Sequence, residues 1–386
     1  MLVQNRQSVD PLVIRFQPPK NPLVRLRRGI KRRYLAGAQA SFVRAPGASL
    51  FSDDRSANNA DVLGQMPPSE IVNLHWVAGF FDYREFFRRL PARLPVVWTL
   101  HDMNPFTGGC HFDGGCGKFA ERCGACPQLG SNDPKDLSAQ VWRRKQEAFA
   151  ALNMEGVHLV TPSRWLQGEV GKSTLMSKFR CTAIPNALDT ELFQPREQGA
   201  ARKLLGIPAD SAVILFLADW AGEKRKGFDL LVEALKPFRN DPRIFLLAAG
   251  RELPVHDLGL QLVTTGYLTG EKQLSWVYSA ADVFVLPSLQ DNLPNTALEA
   301  LSCGVPVVGF DVGGIPEIVR AGETGLLVPA KDVAGLRTAI TSVVENKEMR
   351  VRMAEAGRRF AVANYGLEIQ ARRYLELYSE LVAGAK

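Results

Sequence analysis

Residues 280–329, AADVFVLPSLQDNLPNTALEALSCGVPVVGFDVGGIPEIVRAGETGLLVP, constrain the fold more than any other stretch of the chain. Residues 283–286 form a short apolar run closed by Pro287, the pattern of a strand buried on both faces. A polar loop, 288–292, follows. Pro294 is placed in the first turn of a helix running to Cys303, which Gly304 and Pro306 terminate. Residues 305–310 read as the next buried strand. Gly313 and Gly314 make a tight turn into a short helix, and 325–328 read as a third strand. Strand–helix–strand–helix–strand is the repeating unit of an α/β fold with a doubly wound parallel sheet. Ligands of such sheets sit beyond the carboxyl ends of the strands. Segments 288–295 and 311–315 are therefore expected to border a ligand crevice.

Two carboxylates stand there, Asp291 in the loop and Glu299 in the helix. Free backbone N–H groups around 292–295 and 314–315 face the same place, so Asn292, Leu293, Pro294, Asn295, Gly313 and Gly314 are expected to border the ligand. Helix N-termini there favour phosphate or polar hydroxyls. Carboxylates beside a phosphate site make chemical sense as acceptors for sugar hydroxyls. On spacing alone, Asp291 as a helix cap and Glu299 as a solvated face residue is an equal reading.

The whole stretch resembles the C-terminal signature of retaining GT-B glycosyltransferases of the group 1 (family 4) type, bacterial polysaccharide-biosynthesis branch. The segments LPS, EALSCGVPVV and GGIPEIV carry the likeness, and the family's Glu-x7-Glu stands here as Asp291 and Glu299. The resemblance implies that Asp291 contacts the transferred sugar and Glu299 the ribose of a nucleoside diphosphate sugar. Aspartate at the first position is a departure that shortens the reach by one methylene. The resemblance also implies a GT-B fold: two Rossmann-like domains facing a cleft, 1–185 on the acceptor side and 186–365 for the donor, with helix 366–386 crossing back.

Other parts of the chain fit the same likeness. Strands at 212–217, 245–249 and 262–266 open the second domain. Lys226, before Gly227, matches the family lysine that neutralises the donor phosphates. The arginine usual five residues earlier is Ala221 here, with Lys224 or Arg225 as substitutes. Tyr267 matches the position facing the nucleobase. In the first half, strands at 70–74 and 96–100 each lead into a histidine, His75 and His101. VVWTLHDMNPFTGGCHF also resembles the family's N-terminal domain, which gives His101 the role of reaching the transferred sugar. Asp102 either orients that ring or caps a turn. The catalytic set expected is His101, Lys226 and Asp291.

Composition narrows what remains. The length of 386 residues suits two domains of roughly 150–200 residues each, and 46% hydrophobic residues can fill their cores. No run of about 18 apolar residues occurs, and the first residues lack the form of a signal peptide, so a cytoplasmic place is expected. The net charge of +7 is uneven: residues 11–52 hold no acid and nine Lys or Arg. Within it, NPLVRLRRGIKRRYL forms a basic amphipathic helix with Leu23, Leu26, Ile30 and Tyr34 near one face. Residues 15–44 are thus expected to meet an anionic membrane surface, peripherally at the inner face, with a solvated helix as the rival reading. Nucleic acid is disfavoured, because no stacking aromatics interleave the charges.

Four of the six cysteines, Cys110, Cys116, Cys123 and Cys126, fall within 17 residues among glycines that let the backbone wrap tightly. The Cys-x2-Cys spacing allows a structural zinc, an iron–sulfur cluster or packed reduced thiols, and His111 could replace one cysteine. No catalytic cofactor is expected, since no acidic metal motif lies beside the phosphate loop.

The function so read is hexosyl transfer, with retention, from a nucleoside diphosphate sugar to a glycan or lipid-linked acceptor in exopolysaccharide or cell-surface glycan synthesis. The alternative is a non-catalytic or truncated nucleotide-sugar-binding protein. Related enzymes begin with a strand and a glycine-rich loop. Here the opening MLVQNRQ resembles their second strand, and no glycine precedes Gly29. The first domain is therefore expected to lack its first strand and that loop.

Overall fold

The computed structural model describes residues 1–4, 10–42, 44, 46–58, 60–251, 253, 258–268 and 270–384. It divides into two compact units, Met1–Ala183 with Leu375–Lys386, and Ile184–Tyr374.

The first unit is built on a parallel sheet of four strands in sequential order: β1 (Val72–His75), β2 (Val96–Thr99), β3 (Val157–Thr161) and β4 (Arg180–Ala183). Strands β2 and β3 are buried along their whole length, as their continuous apolar runs require. Aromatic rings fill the space beside the sheet. Trp98 packs 5.3 Å from Phe87, 5.5 Å from Tyr83 and 5.7 Å from Phe149, centroid to centroid. The opening residues do not join this sheet. Leu2–Val3 pairs with Ile14–Arg15 in a separate two-stranded sheet.

Helix α1 (Pro22–Ala40) bears out the amphipathic pattern. Leu23, Leu26, Ile30 and Tyr34 are 60–70% exposed along one stripe. Lys31 on another face pairs with Asp82 at 2.9 Å, and Arg28 donates to the Asn58 side chain. The helix is thus held to the unit by its polar contacts while its apolar stripe faces outward. A second helix, α2 (Leu137–Ala150), is capped by Asp136, whose carboxylate accepts the Ala139 N–H at 3.1 Å.

The second unit holds six parallel strands: β5 (Ala212–Trp220), β6 (Ile244–Arg251), β7 (Gln261–Gly266), β8 (Val283–Leu286), β9 (Val307–Phe310) and β10 (Gly325–Val328). Their order is β10-β9-β8-β5-β6-β7, every neighbouring pair parallel. The chain therefore builds outward from β5 in one direction and then returns to its other side with β8. The gap between β5 and β8 is the topological switch point. Helix α3 (Phe228–Leu235) follows β5, and α4 (Asn295–Ser302) follows β8. Helix α5 (Ile315–Ile318) follows β9.

Strand β9 starts two residues later than the apolar run. Pro306 has no N–H to give to a ladder, although its carbonyl accepts the Phe284 N–H at 2.9 Å. Pro294 likewise lies just outside α4, as its N-cap residue. The final helix, α6 (Leu367–Gly384), contributes to both units: Gln370 donates to the Pro185 carbonyl at 2.6 Å, and Asn73 donates to the Tyr378 hydroxyl at 2.6 Å.

Candidate active site

At the switch point three loops converge. Gly227 ends the turn after β5 with φ of +68°, and a Cβ there would overlap the Pro287 carbonyl oxygen at the end of β8. Gly313, with φ of +59°, lies as closely against the Asp291 carbonyl oxygen. Only glycine takes both the left-handed backbone and the close approach. The Asp291 carbonyl also accepts the Gly314 N–H at 3.0 Å. Lys226, Asp291 and the Gly313–Gly314 turn are so brought into one place from three different strand ends.

The charges there are paired. Lys226 Nζ lies 2.8 Å from Asp291 Oδ2, and Arg225 donates to the same oxygen at 3.2 Å. Arg225 also donates to the Gln290 carbonyl at 2.7 Å and to both Glu223 oxygens at 2.9 and 3.1 Å. Its side chain is largely buried, so the arginine offered by sequence as a substitute phosphate ligand serves to hold Asp291 and the 288–291 loop. Burial works to raise the Asp291 pKa, but the Lys226 and Arg225 charges outweigh it and hold the carboxyl below its ordinary value. Asp291 is an ionised carboxylate in a cationic grip.

Glu299 is the opposite case. It sits in α4 and accepts a hydrogen bond from the Tyr278 hydroxyl at 2.8 Å. Burial pushes its pKa up to about 7; the Tyr278 hydrogen bond lowers it, and the Glu271 charge adds to the rise. The two acids of the sequence pair thus differ in protonation near neutral pH, one ionised by its partners and the other balanced between forms.

The other donor-side residues fall around this centre. Asn292, Leu293 and Pro294 run from Asp291 into α4, and the Asn292 N–H donates to Asp291 Oδ1 at 3.1 Å. Asn295 accepts from Asn186 at 3.0 Å. Tyr267 is half exposed at the end of β7, with the Arg251 guanidinium 3.8 Å above its ring.

His101 lies in the first unit, separate in the chain from this group. Its Nε2 is 2.9 Å from His75 Nδ1, which brings together the ends of β1 and β2. Burial around the rings, with the His101 neighbour, pushes His75 down to about 4. Burial lowers His101 as well, against the pull of Asp102. Both rings keep an exposed edge and favour the neutral form. Asp102 does cap a turn, accepting the Asn104 N–H at 2.8 Å. Its other oxygen pairs with His111 Nδ1 at 2.7 Å, and His111 Nε2 meets the Ser52 hydroxyl at 2.8 Å. With both nitrogens engaged there, His111 is a structural tie to segment 50–52, not a replacement for a cysteine.

Sequence reasoning passed over Trp76. It is 61% exposed directly after β1, with φ of +40°. A non-glycine residue rarely holds that conformation, and such strain concentrates at functional sites. Its indole borders a cavity of about 660 Å³, shared with His75, Asn73 and Ser52.

A parallel sheet with cationic and carboxylate side chains at its switch point places the chain among open α/β proteins that take their ligand at that crevice. Residues 197–360 match the family described as glycosyl transferases group 1. The alpha-maltose-1-phosphate synthase of Mycolicibacterium smegmatis is 31% identical over 372 residues, covering 90% of this chain and 86% of that protein. The D-inositol 3-phosphate glycosyltransferase of Saccharomonospora viridis is 34% identical over 220 residues, 52% of this chain and 50% of that protein. For several of its curated relatives, then, the chain aligns over only about half their length. Among solved structures, sucrose-phosphate synthase from Thermosynechococcus elongatus superposes with a TM-score of 0.67 at 21% identity, covering 96% of this chain and 84% of that one. Anabaena HepE, solved in complex with UDP-glucose, gives 0.60 at 16% identity, with 95% and 86% covered. These two likenesses concern the fold, which is GT-B. The chain belongs to the group 1 glycosyltransferase family.

Proposed function

We propose that this protein is a retaining glycosyltransferase that moves a hexosyl group from a nucleoside diphosphate sugar to a hydroxyl of a glycan or lipid-linked acceptor. The observation that carries the reading is the Lys226–Asp291 pair at the β5/β8 switch point, with Glu299 one helix turn further along. On donor binding, Lys226 turns to the diphosphate and Asp291 to the sugar hydroxyls. Glu299, ionised, accepts the ribose hydroxyls, and the Arg251–Tyr267 stack offers a flat surface to the base.

In the reaction the bond between the sugar C1 and the diphosphate oxygen breaks. A new C1–O bond to the acceptor forms on the same face, and the acceptor proton passes to the departing diphosphate. Lys226 stabilises the charge that grows on that leaving group. The neutral His101 serves the transferred sugar as a hydrogen-bond partner. Trp76 and the cavity beside it take the acceptor. The HepE complexes with UDP and glucose and with UDP-glucose support a nucleotide-sugar donor. Exopolysaccharide or cell-surface glycan synthesis is the process this chemistry suits.

Among the described residues no helix is long and apolar enough to cross a membrane. The exposed stripe of α1, flanked by Arg27 and Arg33, supports peripheral attachment to an anionic membrane surface, where a lipid-linked acceptor would be met.

Nucleoside diphosphate release from a panel of sugar donors, with and without acceptor extracts, tests the proposal. Release that depends on acceptor is expected. Tight donor binding with no release under any acceptor would make the protein a binder.

A further inference from the structure

The four thiols that the sequence groups together also converge in the fold. Cys110, Cys116, Cys123 and Cys126 all line one small cavity of about 10 Å³ in the first unit, the size of about one water-sized probe. None of them is in a disulfide. Three features distinguish this cluster from cysteines packed as small hydrophobes.

First, backbone donors point at sulfur. The Gly108 N–H lies 3.1 Å from Cys123 Sγ, and the Gln128 and Leu129 N–H groups face Cys126. A neutral thiol is a weak acceptor, whereas a thiolate rewards such donors. Second, the Cys-x2-Cys turn is strained. Between Cys123 and Cys126 stand Gly124 with φ of +155° and Ala125 with φ of +46°. A Cβ on Gly108 would lie 2.6 Å from that of Cys123. A turn that holds an alanine in the left-handed region needs a reason to persist. Third, cations surround the sulfurs. Lys145, fully buried in α2, is held by the Asn104 and Thr107 carbonyls and lies within electrostatic reach of Cys110 and Cys123. Lys118 lines the cavity and donates to the Gly124 and Ala125 carbonyls at 2.9 and 2.8 Å. Asp53 and Asp54 already compensate part of the Lys145 charge, and a metal tetrathiolate, with two negative charges, is further favoured beside the two lysines.

We propose that Cys110, Cys116, Cys123 and Cys126 bind one structural zinc ion that ties the turns of segment 108–129 to one another. Among the described residues no three His, Cys, Asp or Glu side chains already stand in a ligating array. Binding therefore requires the thiols to rotate inward until sulfurs lie about 2.3 Å from the metal and about 3.8 Å from one another. Four thiol protons leave as zinc binds. The site has no open position for substrate, and its function is to hold the loop that carries His111, the partner of Asp102.

The test uses the full chain produced in zinc-replete medium and passed through gel filtration. Elemental analysis is expected to give about one zinc per chain. Protein grown with cobalt instead is expected to show the sulfur-to-metal charge-transfer and d–d bands of a tetrahedral tetrathiolate. An organomercurial should release the zinc as the thiols are titrated. Cys116→Ser, at the least buried of the four, should retain far less metal. Zinc at background in the wild-type chain, iron with acid-labile sulfide, or a cobalt spectrum without thiolate bands would each overturn the proposal. The wild-type cobalt spectrum decides the matter even where the variant does not fold.

Discussion

Lys226 Nζ and Asp291 Oδ2 stand 2.8 Å apart across the β5/β8 switch point, joined from loops 65 residues distant in sequence. Neither side chain is fully exposed, at 23% and 11%. Each side chain neutralises the other.

Lys226→Ala is expected to lower turnover about 10²–10³-fold, the loss typical of a removed transition-state donor. Asp291 keeps Arg225 as a partner, so the fold should survive. Unchanged turnover with an unchanged melting temperature would remove Lys226 from the mechanism.

Glu299 makes opposite demands on stability and binding. Its folded pKa of about 7 exceeds the ordinary 4.5. Its contribution to stability is therefore full below 4.5 and is lost as pH rises through 7. Glu299→Gln avoids that loss, and at pH 8 it should be more stable than the parent by on the order of 3 kcal/mol. Near pH 4 the two should be alike. The same variant should bind nucleotide more weakly, by roughly 1.5–3 kcal/mol. Denaturant curves at both pH values with calorimetry of nucleotide binding check the pair. A variant less stable at pH 8, or one with undiminished affinity, contradicts the assignment.

Trp76 gives a second trade-off. Trp76→Gly relieves the left-handed backbone and should gain about 1 kcal/mol in stability. Loss of its exposed ring should raise acceptor KM on the order of tenfold and leave donor affinity alone. A change in donor affinity instead would place Trp76 elsewhere in the reaction.

The apolar stripe of α1 is testable without any substrate. Co-sedimentation with vesicles rich in anionic lipid should fail for a Leu23→Glu, Leu26→Glu, Ile30→Glu variant and weaken in high salt for the parent. Equal binding to neutral and anionic vesicles contradicts the charge contribution.

The second unit was largely legible in the sequence. Strand β8 and strand β10 fall where the apolar runs and turn residues put them, because a strand buried on both faces leaves a local mark. Asp291, Glu299 and Lys226 could be singled out, but their states could not. That Arg225 grips Asp291, or that Tyr278 bonds Glu299, depends on contacts between distant segments that no local pattern records. Trp76 was passed over because its signal is a backbone angle. His101 was legible by its place after a strand, but its His75 partner distance and the diversion of Asp102 to His111 come from tertiary packing alone.

A structure determined with UDP-glucose bound tests the central claim most directly. The expected result puts a diphosphate oxygen about 3 Å from Lys226 Nζ, the ribose hydroxyls on the Glu299 carboxylate and the sugar hydroxyls on Asp291. A donor bound elsewhere, with the Lys226–Asp291 pair undisturbed, would contradict it.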